Sequence, residues 1–192
     1  MDFFDESYEN TPPWDIGHPQ KEFIGLARNG EIKGSVLDLG CGTGENALFY
    51  AEEGHEVYGI DSAPLAIHKA QEKSIQRGVH VHFIVLDALD LKKLNRTFDT
   101  ATDSGLFHTL TDEDRPIFAE NLAAVLHPGG TYFMLCFSEL EPGSYGPRRV
   151  TKKEIQDSFS EGWIINYIRP AVFESRTWKN GPRAWLSSIT KK

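Results

Sequence analysis

The amino-acid sequence predicts an α/β fold built around a parallel sheet, and two observations support this prediction. From Ser35 onward, short apolar runs with strand character alternate with longer segments whose apolar residues recur at helical spacing, which is the pattern of successive βαβ units. The chain has 192 residues and contains no internal repeat or low-complexity linker. We therefore expect a single domain over residues 1–192, with a core of its own.

The elements follow one another regularly along the chain. Strands are expected at residues 36–39, 57–60, 79–86, 98–103, 131–137, 163–168 and 184–189. A helix is expected from Glu45 to Glu53, and the next has Ser62 as its cap, Pro64 in its first turn and an end near Arg77. Two capping boxes, which begin at Thr111 and Thr151, open helices that run to about Leu126 and Ser160. The 131–137 strand is apolar on both faces, which favours a central position in the sheet.

Charge and composition exclude several classes of partner. The formal net charge is −8, which disfavours a nucleic-acid surface because such surfaces gather Lys and Arg. No secretory leader and no apolar stretch of bilayer length is visible, so we expect no membrane partner and a cytoplasmic location. Cys41 and Cys136 form no CxxC pair and are expected to remain thiols. The sequence is compatible with a monomer or a weak dimer.

Residues 1–34 differ from the rest of the chain. Prolines interrupt any long helix there, and no strand precedes Ser35, so we expect this segment to form a lid over the ligand edge of the 35–192 core. Its aromatic residues, Phe3, Phe4, Tyr8 and Trp14, either wall a pocket or only pack the segment onto the core.

A glycine-rich turn follows the first strand and leads into a helix. Glycines at 40, 42 and 44 permit positive φ and let backbone N–H groups approach a ligand. Asp61 ends the next strand, where a carboxylate can accept hydrogen bonds from both ribose hydroxyls of a nucleoside. Asp38 lies two residues before the first glycine; an acid there would repel a pyrophosphate but suits an ammonium group.

The motif Asp38-x-Gly-x-Gly-x-Gly resembles the first motif of the class I S-adenosylmethionine-dependent methyltransferases, and the resemblance extends over about residues 34–137. It implies a doubly wound, Rossmann-like sandwich whose seven-stranded, mostly parallel sheet has the order 3-2-1-4-5-7-6, with the last strand antiparallel. It also implies S-adenosylmethionine as cofactor, S-adenosylhomocysteine as product and no metal. The cofactor-binding residues expected on this basis are Trp14, Asp38, Gly40, Cys41, Gly42, Thr43, Gly44, Asn46, Asp61, Ser62, Asp87, Ala88, Asp103 and Ser104.

Two local segments narrow the resemblance. Residues 12–20 resemble the N-terminal segment of thiopurine methyltransferase-like enzymes and of bacterial enzymes that methylate heterocyclic toxins, and residues 103–108 resemble their fourth motif. This implies methyl transfer to an O, N or S atom of a small aromatic or heterocyclic molecule. A nicotinamide-dependent oxidoreductase and a non-catalytic protein that only binds the cofactor are the alternatives.

Histidines are the candidates for a catalytic base, which only less acidic acceptors require. His108 closes the fourth motif at the carboxyl end of a strand, where it either takes a proton or only packs, and His18 either faces the substrate or stabilises a turn. His80 and His82 share one strand face without an acid or cysteine cluster, so a metal site is not expected. Arg148 and its neighbour at 149 either close over an anionic acceptor or form a solvated pair.

Overall fold

The computed structural model describes residues 3–192, and it contains one seven-stranded sheet covered by helices. The strands are β1 (Val36–Leu39), β2 (Val57–Asp61), β3 (His82–Val85), β4 (Phe98–Ser104), β5 (Leu126–Phe137), β6 (Trp163–Val172) and β7 (Arg183–Lys191). The α-helices are α1 (Phe3–Ser7), α2 (Lys21–Arg28), α3 (Glu45–Glu52), α4 (Pro64–Arg77), α5 (Asp114–Val125) and α6 (Lys152–Ser158). Short 3₁₀ helices lie at Ala88–Leu94 and Phe107–Thr109.

The strand order is β3-β2-β1-β4-β5-β7-β6, which confirms the predicted sheet. Strands β1 to β5 are parallel, and β7 is antiparallel to both β5 and β6. It follows that β6 runs in the same direction as β5, and that the carboxyl ends of β1 to β6 lie at one edge of the sheet. We call this the ligand edge, because open α/β sheets bind their ligands there.

Apolar side chains bury both faces of the sheet. One cluster includes Leu122 of α5 and Ile155 of α6, and the other includes Phe23 of α2, Leu48 of α3 and Ile67 of α4. Helices therefore pack on both faces, as a doubly wound fold requires. Within residues 3–192, none of the helices combines the length and the apolar character needed to cross a bilayer.

Two strands begin elsewhere than the sequence predicts. The expected 79–86 strand is shorter, because the N–H of Val79 bonds back to the carbonyl of Ser74 and closes the end of α4, so that pairing starts only at His82. β5 begins earlier than 131, because Leu126 pairs with Phe98 before the chain bulges and pairing resumes at Thr131.

The N-terminal caps of two helices differ in whether the capping residue is close in sequence to the helix. Thr151 and Glu154 form the predicted capping box at α6. The cap predicted at Ser62 for α4 is wrong: Ala63 occupies the cap position without a side-chain bond, and the N–H of Leu65 donates to the carboxylate of Asp5 at 2.9 Å. α1 thus supplies the acceptor that α4 lacks in its own sequence.

Candidate active site

A cavity of about 900 Å³ opens at the ligand edge. Its walls come from the turns that follow β1 to β6 and from the N-terminal segment. The predicted site residues that line it are Trp14, Gly40, Asp61, Ser62, Asp87, Ala88, Ser104 and His108. Its size lies near the upper end of the range of about 300–1,000 Å³ for small-molecule pockets. It has room for more than one compact ligand.

The glycine-rich turn adopts the conformation that its sequence predicts. Gly40, Gly42 and Gly44 have φ of 59°, 54° and 85°, a backbone region that residues other than glycine rarely adopt. A small pocket of about 60 Å³ adjoins this turn. The predicted residues that line the small pocket are Trp14, His18, Gly40, Cys41, Gly42, Thr43, Asn46 and Ser104.

Asp38 is buried at the centre of β1, directly opposite Thr102 of β4. Its Oδ1 accepts a hydrogen bond from the Thr102 hydroxyl at 2.8 Å, whereas Oδ2 has no partner among the described residues. Burial raises the pKa of the Asp38 carboxyl to about 7. A cationic group bound on the other side of the glycine-rich turn would stabilise the charged form of this buried carboxyl.

We expect Asp38→Asn to stabilise the ligand-free protein by roughly 1–2 kcal/mol at pH 8, because the amide removes a buried charge and still accepts from Thr102. The pKa is higher in the folded than in the unfolded chain, so the wild type loses stability as the pH rises from about 4 through about 7. The gain of the variant should grow over that interval. Urea unfolding at several pH values measures it.

Asp103→Asn is the matched control for this prediction. Asp103 is equally buried and burial raises its pKa to about 6, but both of its oxygens accept hydrogen bonds, from the N–H groups of Leu106 and Phe107 and the hydroxyl of Tyr132. An amide there sets its NH2 group against groups that already donate, so existing hydrogen bonds are lost and this variant should lose stability, whereas the amide at Asp38 replaces an oxygen that has no hydrogen bond to lose. Equal effects of the two substitutions would contradict our reading of the Oδ2 atom.

The acids that end β2 and follow β3 face the cavity. Asp61 accepts hydrogen bonds at 2.9 Å from the N–H groups of Gly42 and Ala63, and burial raises its carboxyl pKa. Each carboxylate oxygen keeps a further acceptor site for a ligand hydroxyl. Asp87 accepts from the N–H of Leu89 at 2.8 Å and lines the same wall. Asp61 also holds the glycine-rich turn against β2.

Asp103 and two other predicted residues lie behind the cavity wall. Asp38, Gly44 and Asp103 line neither the cavity nor the small pocket. Asp103 instead closes the turn after β4 through its bonds to Leu106 and Phe107. Its neighbour Ser104 reaches both spaces. The structure therefore gives Asp103 the role of positioning this turn.

The N-terminal segment covers the ligand edge. The Trp14 indole N–H donates to the Tyr8 hydroxyl at 2.9 Å, and the Phe4 ring contacts Trp14 edge to face. Gln20 is buried and exchanges two hydrogen bonds with the backbone of Glu174, at 2.8 and 3.0 Å. The segment is thus fastened to the connection between β6 and β7 as well as to α4.

The β6–β7 connection supplies an aromatic wall that the sequence analysis missed. Phe173 and Trp178 line the cavity, and both rings pack against Phe137 at the end of β5, with centroid distances of 5.3 and 5.8 Å. The signal that could have revealed this wall is the direction of β6: a strand parallel to β5 delivers its following turn to the ligand edge.

The two candidate histidines occupy different places. His108 lines the cavity between the rings of Phe137 and Phe173. His18 lies beside the glycine-rich turn in the small pocket, with its Nδ1 at 2.9 Å from the carbonyl of Pro19. Of the two, only His108 reaches the aromatic end of the cavity. No cluster of three or more metal-ligating residues occurs within residues 3–192.

Both arginines after β5 already have partners. Arg148 lines the cavity, and its guanidinium pairs with Asp112 at 2.7 Å and Glu154 at 2.5 Å. Arg149 donates to backbone carbonyls of residues 141, 145 and 147 and lies over the Phe137 ring. The cavity therefore has acids, Asp61 and Asp87, at one end and aromatic rings at the other, where the charge of Arg148 is balanced by its two carboxylate partners.

Comparisons with known proteins agree with this geometry. A family model described as a methyltransferase domain matches residues 36–130. A relative in Mycobacteroides abscessus, 2-heptyl-1-hydroxyquinolin-4(1H)-one methyltransferase, is 35% identical over 94% of this chain and 83% of its own. Probable thiol methyltransferase 2 of Arabidopsis thaliana is 26% identical over 80% of this chain and 69% of its own.

Solved structures extend the likeness to the whole fold. A structure from work on the conversion of a disulfide bond into a thioacetal group during echinomycin biosynthesis has a TM-score of 0.90 at 33% identity, covering 98% of this chain and 91% of that one. Magnesium protoporphyrin IX methyltransferase from Synechocystis PCC 6803 shares the fold at a TM-score of 0.69 and 19% identity, over 90% and 77% of the chains. With its glycine-rich turn, its strand order and these relatives, the chain belongs to the class I S-adenosylmethionine-dependent methyltransferases.

Proposed function

We propose that this methyltransferase acts on an ionisable O, N or S atom of a small, planar heteroaromatic molecule. The observation that carries the proposal is the division of the cavity. The acidic end fits the nucleoside of the cofactor, and the other end offers the rings of Phe137, Phe173 and Trp178. A flat aromatic ring packs well against such walls.

The residues at the acidic end fit S-adenosylmethionine. The positive φ values of the glycine-rich turn admit a close backbone approach, and Asp61 retains acceptor sites for the ribose. Asp38 lies behind that turn, where its carboxylate would attract the ammonium group without touching it. Asp87 and Ala88 line the same cavity, and we assign them to the adenine. The aromatic rings of Trp14 and Tyr8 suit a positively charged sulfonium. These assignments extend the sequence prediction site by site.

The chain contributes alignment and exclusion of water. When bound, the cofactor supplies an electrophilic methyl group for in-line displacement. Phe137, Phe173 and Trp178 restrict the acceptor to one plane, and the N-terminal segment covers the reacting atoms. An acceptor that is already ionised at pH 7 needs no protein base, so positioning alone can accelerate its reaction. The nicotinamide alternative is set aside by the family assignment.

The test is an acceptor screen with isotope-labelled S-adenosylmethionine. We expect 2-heptyl-1-hydroxyquinolin-4(1H)-one, or a smaller hydroxyquinoline, to gain one methyl group by mass, and the corresponding methoxy compound to gain none. An aromatic thiol and an aliphatic thiol of similar size test the sulfur alternative. Methylation of the aliphatic thiol alone, with no heteroaromatic product, would contradict the proposal.

A further inference from the structure

The surroundings of His108 assign its single proton. The residue lies in the 3₁₀ helix after β4, its side chain packs against Phe137 and Phe173, and it is 6% exposed. The backbone N–H of Phe137 points at Nδ1 at 3.2 Å. A backbone N–H can only donate, so Nδ1 accepts and carries no proton. In the neutral ring the proton therefore resides on Nε2.

The Nε2 atom faces the cavity. It has no hydrogen-bond partner among residues 3–192, and it is not sealed from solvent. Because the ring lines the cavity, Nε2–H opens into it. Gly105 lies against the carbon between the two nitrogens, since a Cβ there would come within 3.2 Å of His108 Cε1. The Phe137 N–H and Gly105 together hold the ring in one orientation.

The ring stays neutral over the working pH range. Burial is the main cause, and the cationic Arg149 and Arg115 add to it, so that the pKa of His108 is lowered to about 3. Arg149 belongs to the segment after β5 and Arg115 to α5, and the aromatic neighbours of the ring do not titrate in this range. A group with these properties is a poor proton acceptor near pH 7.

We propose that His108 is a fixed hydrogen-bond donor that binds an acceptor oxygen or anion through Nε2–H and turns the attacking atom toward the methyl group. This replaces the general base that the sequence suggests, because Nδ1 is occupied and Nε2 already carries its proton. The inference rests on the proposed function. The acceptor forms its bond to the methyl carbon with its own electron pair, the carbon–sulfur pair passes to sulfur, and no proton moves to the histidine.

Two variants separate a donor from a base. His108→Gln keeps an N–H donor near the position of Nε2 but cannot titrate, and His108→Leu removes the donor at similar volume. With the hydroxyquinolone as acceptor, we expect the Leu variant to lose roughly 10- to 100-fold in kcat/KM and the Gln variant to recover most of it. Between pH 6 and 9, wild type and the Gln variant should share one inflection, which belongs to the acceptor. A Gln variant as impaired as the Leu variant, or without that inflection, would overturn the inference.

Nitrogen NMR of the histidine rings gives a readout that needs no acceptor. In the wild type, we expect the His108 signals, assigned by their loss in His108→Leu, to show a bare Nδ1 and a protonated Nε2 without titration from pH 5 to 8. A protonated Nδ1, or titration near the ordinary value of about 6.5, would refute the assigned proton. A wild type that methylates no heteroaromatic compound would defeat the proposed function but leave this measurement valid.

Discussion

Asp61→Ala should weaken S-adenosylmethionine binding by roughly 100-fold or more, because two hydrogen bonds to a charged group are lost at about 1.5–3 kcal/mol each. The carboxylate also holds the N–H groups of Gly42 and Ala63, so its removal loosens the turn that would cradle the cofactor. Isothermal titration of the purified protein with S-adenosylmethionine measures the effect.

Two comparisons make this result specific. Asp87→Ala removes the acid expected at the adenine and should have a smaller effect, since one neutral amino group contributes less than two ribose hydroxyls. Asp157→Ala removes an exposed carboxylate that pairs with Lys153 on α6 and should bind the cofactor like the wild type. An Asp61→Ala protein that is folded and binds as tightly as Asp157→Ala would show that Asp61 does not contact the cofactor.

Gly44→Ala should lower the free energy of unfolding by about 3 kcal/mol, the sum of a left-handed backbone penalty and overpacking. Gly44 has φ of 85° at the start of α3, and a Cβ there would lie 2.6 Å from the Phe83 ring and 3.0 Å from Ala70. Phe83 and Ala70 are both buried in the packed core, so neither can move away from an added methyl group without disturbing its neighbours. Urea unfolding followed by circular dichroism gives the difference.

Gly54→Ala provides the matched control at the other end of α3. Its φ of 94° resembles that of Gly44, but nothing lies within 4 Å of an added Cβ. The variant should therefore show the backbone penalty alone, about 1 kcal/mol. Equal losses in the two variants would mean that the contacts of Gly44 with Phe83 and Ala70 contribute nothing.

The sequence predicted those parts of the site whose signals are local. Gly40, Gly42 and Gly44 lie in one turn, and Asp61 and Asp87 each come at or just after the end of a strand, so alternation of strands and helices places them at one edge of the sheet. The capping box at Thr151 was equally visible, because both of its partners lie within one helical turn. Such features need no knowledge of distant contacts.

Long-range pairing decided the rest. The Asp5 carboxylate caps α4 from 60 residues away. The backbone N–H of Phe137, 29 residues from His108, determines which nitrogen of that ring carries the proton. Phe173 and Trp178 reach the cavity only because β6 runs parallel to β5, which depends on β7 pairing between them.

By itself, the sequence determined the fold class, the order of elements and the acids at one end of the cavity, since hydrophobic periodicity and glycine turns act over a few residues. Only the tertiary structure decided which way Asp103 faces, which nitrogen of His108 carries the proton and what walls the acceptor end. The physical reason is that burial and hydrogen-bond partners arise when segments far apart in the chain meet, and these contacts set charge and orientation.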